Sequence, residues 1–229
     1  MNQIISSQRL QTREIISASM FAALILLATS VLKIQTPTFG YIHMGDAFVL
    51  LAGFLLGPVT GGLAAGIGSA LSDLLGGYVL WVPGTFLIKF LTAAVAAQVL
   101  RFLQHLQAPH ANDRRAESDV QRADGRSRLF PVQKSVLTQP RAGEHSVSTA
   151  VPAAGIAGEI LMIIGYFFCD IIVVCISNGT FTQAGIAAAF TLAVAGLPFN
   201  AVQGAAGIVL TIPLYPIFRR LLHAASLRP

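Results

Sequence analysis

The sequence predicts an all-α integral membrane protein, a compact bundle of six transmembrane helices with both termini in the cytoplasm. Three observations support this fold class. Hydrophobic residues make up 54% of the chain and charged residues 11%, whereas a soluble domain has roughly 25% charged residues. Apolar runs recur at lengths close to those that cross a bilayer. The basic residues are confined to a few segments, as in proteins whose loops alternate between two sides of a membrane.

Six apolar runs define the predicted helices. They cover residues 15–32, 47–56, 59–75, 84–103, 156–176 and 198–222. The first run follows two arginines, but it is long for a signal peptide and no A-x-A cleavage site follows it. Gly57-Pro58 separates the short second helix from the third. A further apolar piece, residues 184–197, is too short for a comfortable span and is expected to form an outer half-helix or an extension of helix five.

The distribution of positive charge sets the expected topology. Of the 15 Lys and Arg residues, 13 lie in the N-terminus, in residues 101–141 or after Phe218. Because cytoplasmic segments are enriched in these residues, six crossings place all three basic segments in the cytoplasm. The chain, residues 1–229, is then a single membrane domain. Residues 105–150 are rich in Arg, Asp, Gln, Ser and Pro, which predicts a disordered cytoplasmic loop between helices four and five.

Polar side chains within the predicted helices are the strongest functional signal, since charges at membrane depth are costly and usually line a cavity or pair with each other. At a rise of 1.5 Å per residue, Asp73, Lys89 and Asp170 lie about 5, 9 and 10 Å below the outer ends of their helices. With the aromatic residues of the neighbouring loop, the candidate substrate-binding residues are Asp46, Asp73, Tyr78, Trp81, Lys89, Asp170, Asn200 and Gln203. Together they predict a pocket open to the outside, in which aromatic rings stack on a flat ligand.

Each candidate also has a purely structural interpretation. Lys89 could form an ion pair with Asp73 or Asp170, and Asp46 could be only a helix N-cap. The aromatic residues could belong to the belt that marks a membrane interface. Glu159 is predicted near the inner end of helix five, below the other polar groups, where it would fix helix packing or contact a partner.

Catalysis has little support in the sequence. All five His residues lie in loops or at helix ends, so none is expected beside a serine such as Ser69 at membrane depth. The chain contains neither an H-E-x-x-H zinc motif nor the G-x-x-x-x-G-K-[ST] loop that would hold ATP. We therefore expect no enzymatic activity, no cofactor and no metal. Active transport would need a gradient or another subunit.

Three stretches of the chain resemble one membrane protein family. They read HMGDAFVLLAGFLLGPVTGGLAAGIGSALSDLLGGYVLWVPGTFLIKF, GEILMIIGYFFCD and PFNAVQGAAGIVL. These stretches are similar to the substrate-specific S components of energy-coupling-factor (ECF) vitamin transporters. The likeness is to the riboflavin-type branch, which is also linked to pyridoxine and hydroxymethylpyrimidine. It extends over nearly all of the chain except residues 105–150, which are longer than the usual loop of the family.

The resemblance implies a six-helix protein that captures a vitamin from outside and docks with a transmembrane coupling subunit bound to two ATPases. It also implies a pocket in the outer half of the bundle, formed by the first, third and fifth loops and helices four to six. Ala18 and Ala22 match the A-x-x-x-A pattern through which helix one of the family docks. The alternative is a stand-alone secondary carrier or channel for a small metabolite, although such carriers usually contain internal repeats.

Overall fold

The described residues form six helices and one short β-hairpin. The computed structural model describes the backbone of residues 2–31, 33–35, 41–124, 142–179 and 181–226, and side chains within 12–31, 34, 43–107, 149–179 and 181–224. The elements are α1 (Asn2–Val31), β1 (Lys33–Gln35), β2 (Tyr41–His43), α2 (Gly45–Leu56), α3 (Pro58–Leu75), α4 (Val82–Asp124), α5 (Ala142–Ser177) and α6 (Gln183–Ser226). All six predicted helices are present, and the hairpin is an addition to the prediction.

The hairpin lies in the connection between α1 and α2. Its strands pair antiparallel, with Lys33 opposite His43 and Gln35 opposite Tyr41. A strand of three residues is too short to produce a recognisable alternation of polar and apolar residues, so no pattern in the sequence indicates it. The hairpin positions His43 immediately before the first turn of α2. We call the end of the bundle that carries this hairpin and the α3–α4 and α5–α6 connections the hairpin end.

Residues 184–197 are the first part of α6, so both expected placements of this segment are wrong. The chain reverses after α5 at Gly179, whose φ of 61° is in the left-handed region that favours glycine. Thr182 then caps α6, since its Oγ1 accepts the Gly185 N–H at 3.2 Å. The helix continues through Pro198, where the sequence predicts a boundary. The 44 residues of α6 span about 66 Å, roughly twice the thickness of a bilayer core.

The predicted disordered loop falls partly outside the described residues. Helix α4 continues to Asp124 and α5 begins at Ala142, so helices enter the 105–150 segment from both sides. Residues 125–141, between these helix ends, are outside the described part of the chain. The disorder of the loop therefore stays a prediction.

Long apolar stripes lie on the outward faces of α3 and α5. On α5, large side chains at every fourth position are between 49% and 60% exposed: Ile156, Ile160, Ile164, Phe168, Ile172 and Ile176. The same spacing of exposed side chains is found on α3 at Val59, Leu63, Ile67, Leu71 and Leu75. A soluble protein rarely exposes such extended apolar patches. Four described helices are long and apolar enough to cross a membrane, within Thr12–Val31, Val82–Gln107, Thr149–Ser177 and Gln183–Ala224.

Small residues allow the helix backbones to approach closely. A Cβ atom added to Gly62 would lie 2.9 Å from the ring of Phe90, and one added to Gly66 would lie 2.8 Å from the carbonyl oxygen of Phe86. On α6, a Cβ at Gly207 would lie 2.9 Å from the Cβ of Asp46. Glycines at such contacts are typical of packed membrane helices. They bring α4 and α6 close enough to α2 and α3 to enclose polar groups between them.

Substitution of Gly207 tests this packing. Gly207→Leu forces a side chain against the first turn of α2, and overpacking of this kind costs about 1–3 kcal/mol. We expect a clearly lower melting temperature of the detergent-purified protein, followed by differential scanning fluorimetry. Ala205→Leu is the matched control, because Ala205 is exposed on the same helix. Equal melting temperatures for the two variants would contradict the close approach of α6 to α2.

Candidate ligand-binding site

A polar cavity lies at the hairpin end of the bundle. It is lined by Thr29, His43, Ser69, Asp73, Tyr78, Trp81, Thr85, Tyr166, Asp170, Asn200 and Gln203. Six of the eight candidate residues from the sequence are in this lining, namely Asp73, Tyr78, Trp81, Asp170, Asn200 and Gln203. The two others, Asp46 and Lys89, are fully buried and are not part of the cavity surface. The structure therefore brings the predicted residues into one region, in two layers.

The buried layer is a hydrogen-bonded ion pair. Lys89 Nζ on α4 donates to Asp46 Oδ1 on α2, and both side chains are 0% exposed. Gln203 Nε2 on α6 donates to the second carboxylate oxygen of Asp46 at 2.7 Å. The Oε1 atom of the same Gln203 accepts the backbone N–H of His43 at 3.2 Å. This network joins α2, α4, α6 and the hairpin directly beneath the cavity.

The network corrects two interpretations of the sequence. The salt-bridge partner of Lys89 among the described residues is Asp46, not Asp73 or Asp170. Asp46 is not the N-cap of α2, since Met44 occupies that position and makes no side-chain capping bond. The reason is helix packing: Gly207 allows α6 to cover the first turn of α2, and the Asp46 carboxylate then needs partners from neighbouring helices.

The rim of the cavity is formed by the turn between α3 and α4. Gly77 in this turn has a φ of 84°, which explains why a glycine pair follows α3. Trp81 Nε1 donates to Asp170 Oδ1 on α5 at 3.0 Å. The Tyr78 ring packs edge-on against Trp81, with the ring centroids 5.9 Å apart. The aromatic pair is thus held at the cavity by a polar anchor.

Two walls of the cavity differ in their hydrogen bonding. On the α4–α5 side, the Tyr166 hydroxyl donates to Thr85 Oγ1 at 3.3 Å, and the Tyr166 ring lies 5.2 Å from Lys89 Nζ. On the α1–α3 side, Thr29 and Ser69 are each 1% exposed. Their hydroxyl oxygens have no hydrogen-bond partner among the described residues. The α1–α3 wall therefore carries buried polar groups whose bonding capacity is unused within the described chain.

The sequence analysis missed five of the lining residues. Ser69, Thr85 and Tyr166 each lie four residues before a predicted site residue, and helical residues four apart share a face. The helical period could have identified all three. His43 and Thr29 carried no such signal, because the short hairpin and the packing of α1 bring them to the cavity.

Glu159 lies at the level of the buried network, whereas the sequence predicted a position below it. A Cβ built on Gly204, which directly follows Gln203, would be 3.0 Å from Glu159 Oε2. Both carboxyl oxygens are buried without a hydrogen-bond partner among the described residues. The prediction started helix five at residue 156, whereas α5 already begins at Ala142, so Glu159 lies well inside the helix and not near its end.

The predicted docking residues Ala18 and Ala22 are half-buried and pack against the apolar core. A Cβ added to Gly68 of α3 would lie 3.1 Å from the Ala22 Cα atom, so Ala22 takes part in the contact between α1 and α3. The fully outward face of α1 instead carries two other small residues. These are Ser19 and Ala23, which lie between the exposed side chains of Ile16 and Leu27.

The cavity has a volume of about 60 Å³. Sites that bind drug-sized molecules usually measure roughly 300–1,000 Å³. A ligand of drug-like size would therefore fit only after the residues of the rim had moved outward.

Comparison with known proteins finds similarity to one family of membrane proteins. Residues 9–110 match a family model described as the S component of the ECF-type riboflavin transporter. The chain is also 39% identical over 66 residues to an uncharacterised protein of Pyrococcus woesei, and this match covers 28% of the chain and 44% of that protein, less than half of its length.

The fold is similar to a solved structure of the S component of a bacterial ECF transporter. The TM-score is 0.50 at 20% sequence identity, and the match covers 93% of this chain and 98% of the other. At this identity the likeness concerns the fold. The family model covers residues 9–110, somewhat less than half of the chain, and the solved structure matches the fold over nearly its whole length. Both comparisons show that the chain is similar to S components of ECF-type transporters.

Proposed function

We propose that the protein is the substrate-binding membrane subunit of an ECF-type importer, and that it captures a B-vitamin or a precursor heterocycle of the riboflavin, pyridoxine or hydroxymethylpyrimidine class from outside. The observation that carries this proposal is the polar cavity at the hairpin end. Carboxylates, an amide and hydroxyl groups converge there under an aromatic pair. A few placed polar groups beside aromatic rings are typical of sites for small heterocycles.

The proposal includes six membrane crossings. Four helices are long and apolar enough to span a bilayer. Helix α3 is rich in glycine, which lowers its hydropathy, but its outward face consists of Val, Leu and Ile side chains. Helix α2 is apolar and 12 residues long, short enough to be covered by its neighbours. We place the protein in a bacterial inner or plasma membrane with its basic segments in the cytoplasm. The hairpin end and its cavity then face outward.

The proposed partners are a transmembrane coupling subunit and two ATPase subunits of an ECF module. The sequence has no ATP-binding loop, so an ATP-driven importer would need them. The outward face of α1 suits close contact with another helix, since the small side chains of Ser19 and Ala23 would allow backbones to approach. A stand-alone secondary carrier or channel for a small metabolite is the alternative. Such a carrier would take up its substrate alone, whereas the importer would need the ECF module and ATP.

The function is tested by ligand identification and reconstitution. Mass spectrometry of small molecules extracted from the purified protein should detect a heterocyclic vitamin or precursor at near one-to-one stoichiometry. Proteoliposomes containing this chain alone should bind that compound without accumulating it, and uptake should require the ECF module and ATP. Gradient-driven accumulation by the chain alone would instead establish the carrier.

Substitutions in the buried ion pair test its role in stability. Lys89→Met leaves the Asp46 carboxylate buried without its counter-charge, and breaking such pairs costs about 3–5 kcal/mol. We expect a large fall in the melting temperature of the unliganded protein. Lys89→Met combined with Asp46→Leu removes both charges and should recover part of that loss. A double variant less stable than either single variant would contradict the structural role of the pair.

Docking through α1 is tested with tryptophan substitutions on two faces of this helix. Ser19→Trp and Ala23→Trp place bulk on the exposed face and should abolish uptake by the reconstituted complex, while vitamin binding by the isolated subunit stays normal. Ala18→Trp and Ala22→Trp should in addition lower the melting temperature, because these residues contact the core. Normal uptake by the Ser19 and Ala23 variants would exclude this face as the docking surface.

A further inference from the structure

Thr29 and Ser69 line the cavity with hydroxyl groups that have no hydrogen-bond partner among the described residues. Both belong to residues that are 1% exposed, and neither oxygen has a partner in the described chain. Nearly all buried polar groups in folded proteins have a hydrogen-bond partner. Two exceptions that line the same cavity indicate that the missing partner occupies the cavity.

The surroundings of these hydroxyl groups define a small polar wall. Ser69 is one helical turn from Asp73 on α3, and both residues line the cavity. Thr29 Oγ1 and the His43 ring lie over Gly45, where an added Cβ would come within 2.8 Å of His43 Nδ1. A side chain at position 45 would therefore fill this corner. The wall combines two hydroxyl groups, which can donate or accept, with a carboxylate that accepts when ionised.

These properties favour one kind of ligand group. An aliphatic hydroxyl can donate one hydrogen bond to a carboxylate and accept another from a serine or threonine. A methyl group would leave the wall unsatisfied, and a phosphate would bring negative charge toward Asp73 and Asp170. The same cavity is also lined by Tyr78, Trp81 and Tyr166, whose aromatic side chains suit the ring of a ligand.

We propose that the α1–α3 wall, through Thr29 and Ser69, binds an aliphatic hydroxyl substituent of the ligand and selects against analogues that lack it. This proposal rests on the proposed function and adds a specificity determinant on two helices that the family resemblance does not include in the pocket. All three candidate vitamin classes carry such hydroxyl groups. The wall consequently recognises a feature that they share, while the aromatic residues select among rings.

The test pairs each vitamin with an analogue that lacks the hydroxyl group. The probes are riboflavin and lumiflavin, pyridoxine and its 4,5-dideoxy analogue (3-hydroxy-2,4,5-trimethylpyridine), and hydroxymethylpyrimidine and its methyl analogue. Dissociation constants are measured by isothermal titration calorimetry on the full chain in detergent. For the vitamin that binds, Thr29→Val and Ser69→Ala should each weaken affinity about tenfold and leave the affinity of the analogue unchanged.

Stability measurements separate this role from a structural one. Because the two hydroxyl groups have no partner in the described chain, their removal should leave the melting temperature of the unliganded protein unchanged or raise it. Ser72→Ala is the matched control on α3, since the buried Ser72 hydroxyl bonds with that of Ser30 at 2.9 Å and does not line the cavity. This control should lower the melting temperature and leave affinity unchanged.

Four results would overturn the inference. Unchanged vitamin affinity in Thr29→Val and Ser69→Ala would exclude the wall from binding, and an equal loss for vitamin and analogue would show that the wall does not recognise the hydroxyl. A melting temperature that falls as in Ser72→Ala would make the groups structural. If none of the six compounds binds the unaltered protein, the proposed vitamin function fails first and the inference fails with it.

Discussion

The ion pair between Asp46 and Lys89 constrains the whole bundle, because both charges are buried where neither can be left uncompensated. The pair fixes α2 against α4, and the Gln203 side chain extends the constraint to α6 and to the hairpin. Helix α2 is only 12 residues long, but it buries Val49, Leu50 and Leu51 completely. Its placement depends on this apolar core and on one polar contact near its first residue.

Small residues make this arrangement possible. Gly207 brings α6 against the first turn of α2, and the glycines of α3 bring it against the aromatic residues of α4. Without these close contacts, the four helices could not enclose the carboxylate, the ammonium and the amide within hydrogen-bonding distance. From the sequence, these small residues were expected only to pack helices together. They also allow the polar network to form.

The sequence predicted the helices and most of the cavity for the same physical reason, that polar groups are rare and costly at membrane depth. Asp73 and Asp170 could be placed near the outer ends of their helices from helical rise. Asn200 and Gln203 were expected in the first turns of a helix that starts at residue 198, whereas α6 begins at Gln183. The partner of Lys89 could not be predicted in this way. The carboxylates of Asp46, Asp73 and Asp170 were all available, and only the packing of α6 on α2 decides among them. The Thr29 hydroxyl carried no signal, since a threonine within an apolar helix usually bonds to its own backbone. The hairpin and the first part of α6 were missed because a three-residue strand has no period and a proline usually marks a helix boundary.

The two layers of the site divide stability from recognition. The network of Asp46, Lys89 and Gln203 is bonded internally and needs no ligand, so the bundle can fold around it before any ligand binds. The upper layer contains the aromatic rim and the unsatisfied hydroxyl groups of α1 and α3, and a ligand can improve its hydrogen bonding without disturbing the ion pair. A molecule bound there would contact α1 and α3 on one side and α4, α5 and α6 on the other. Under the proposed function, occupancy would therefore stiffen the hairpin end and the helix proposed for docking, which links ligand capture to the partner through the orientation of α1.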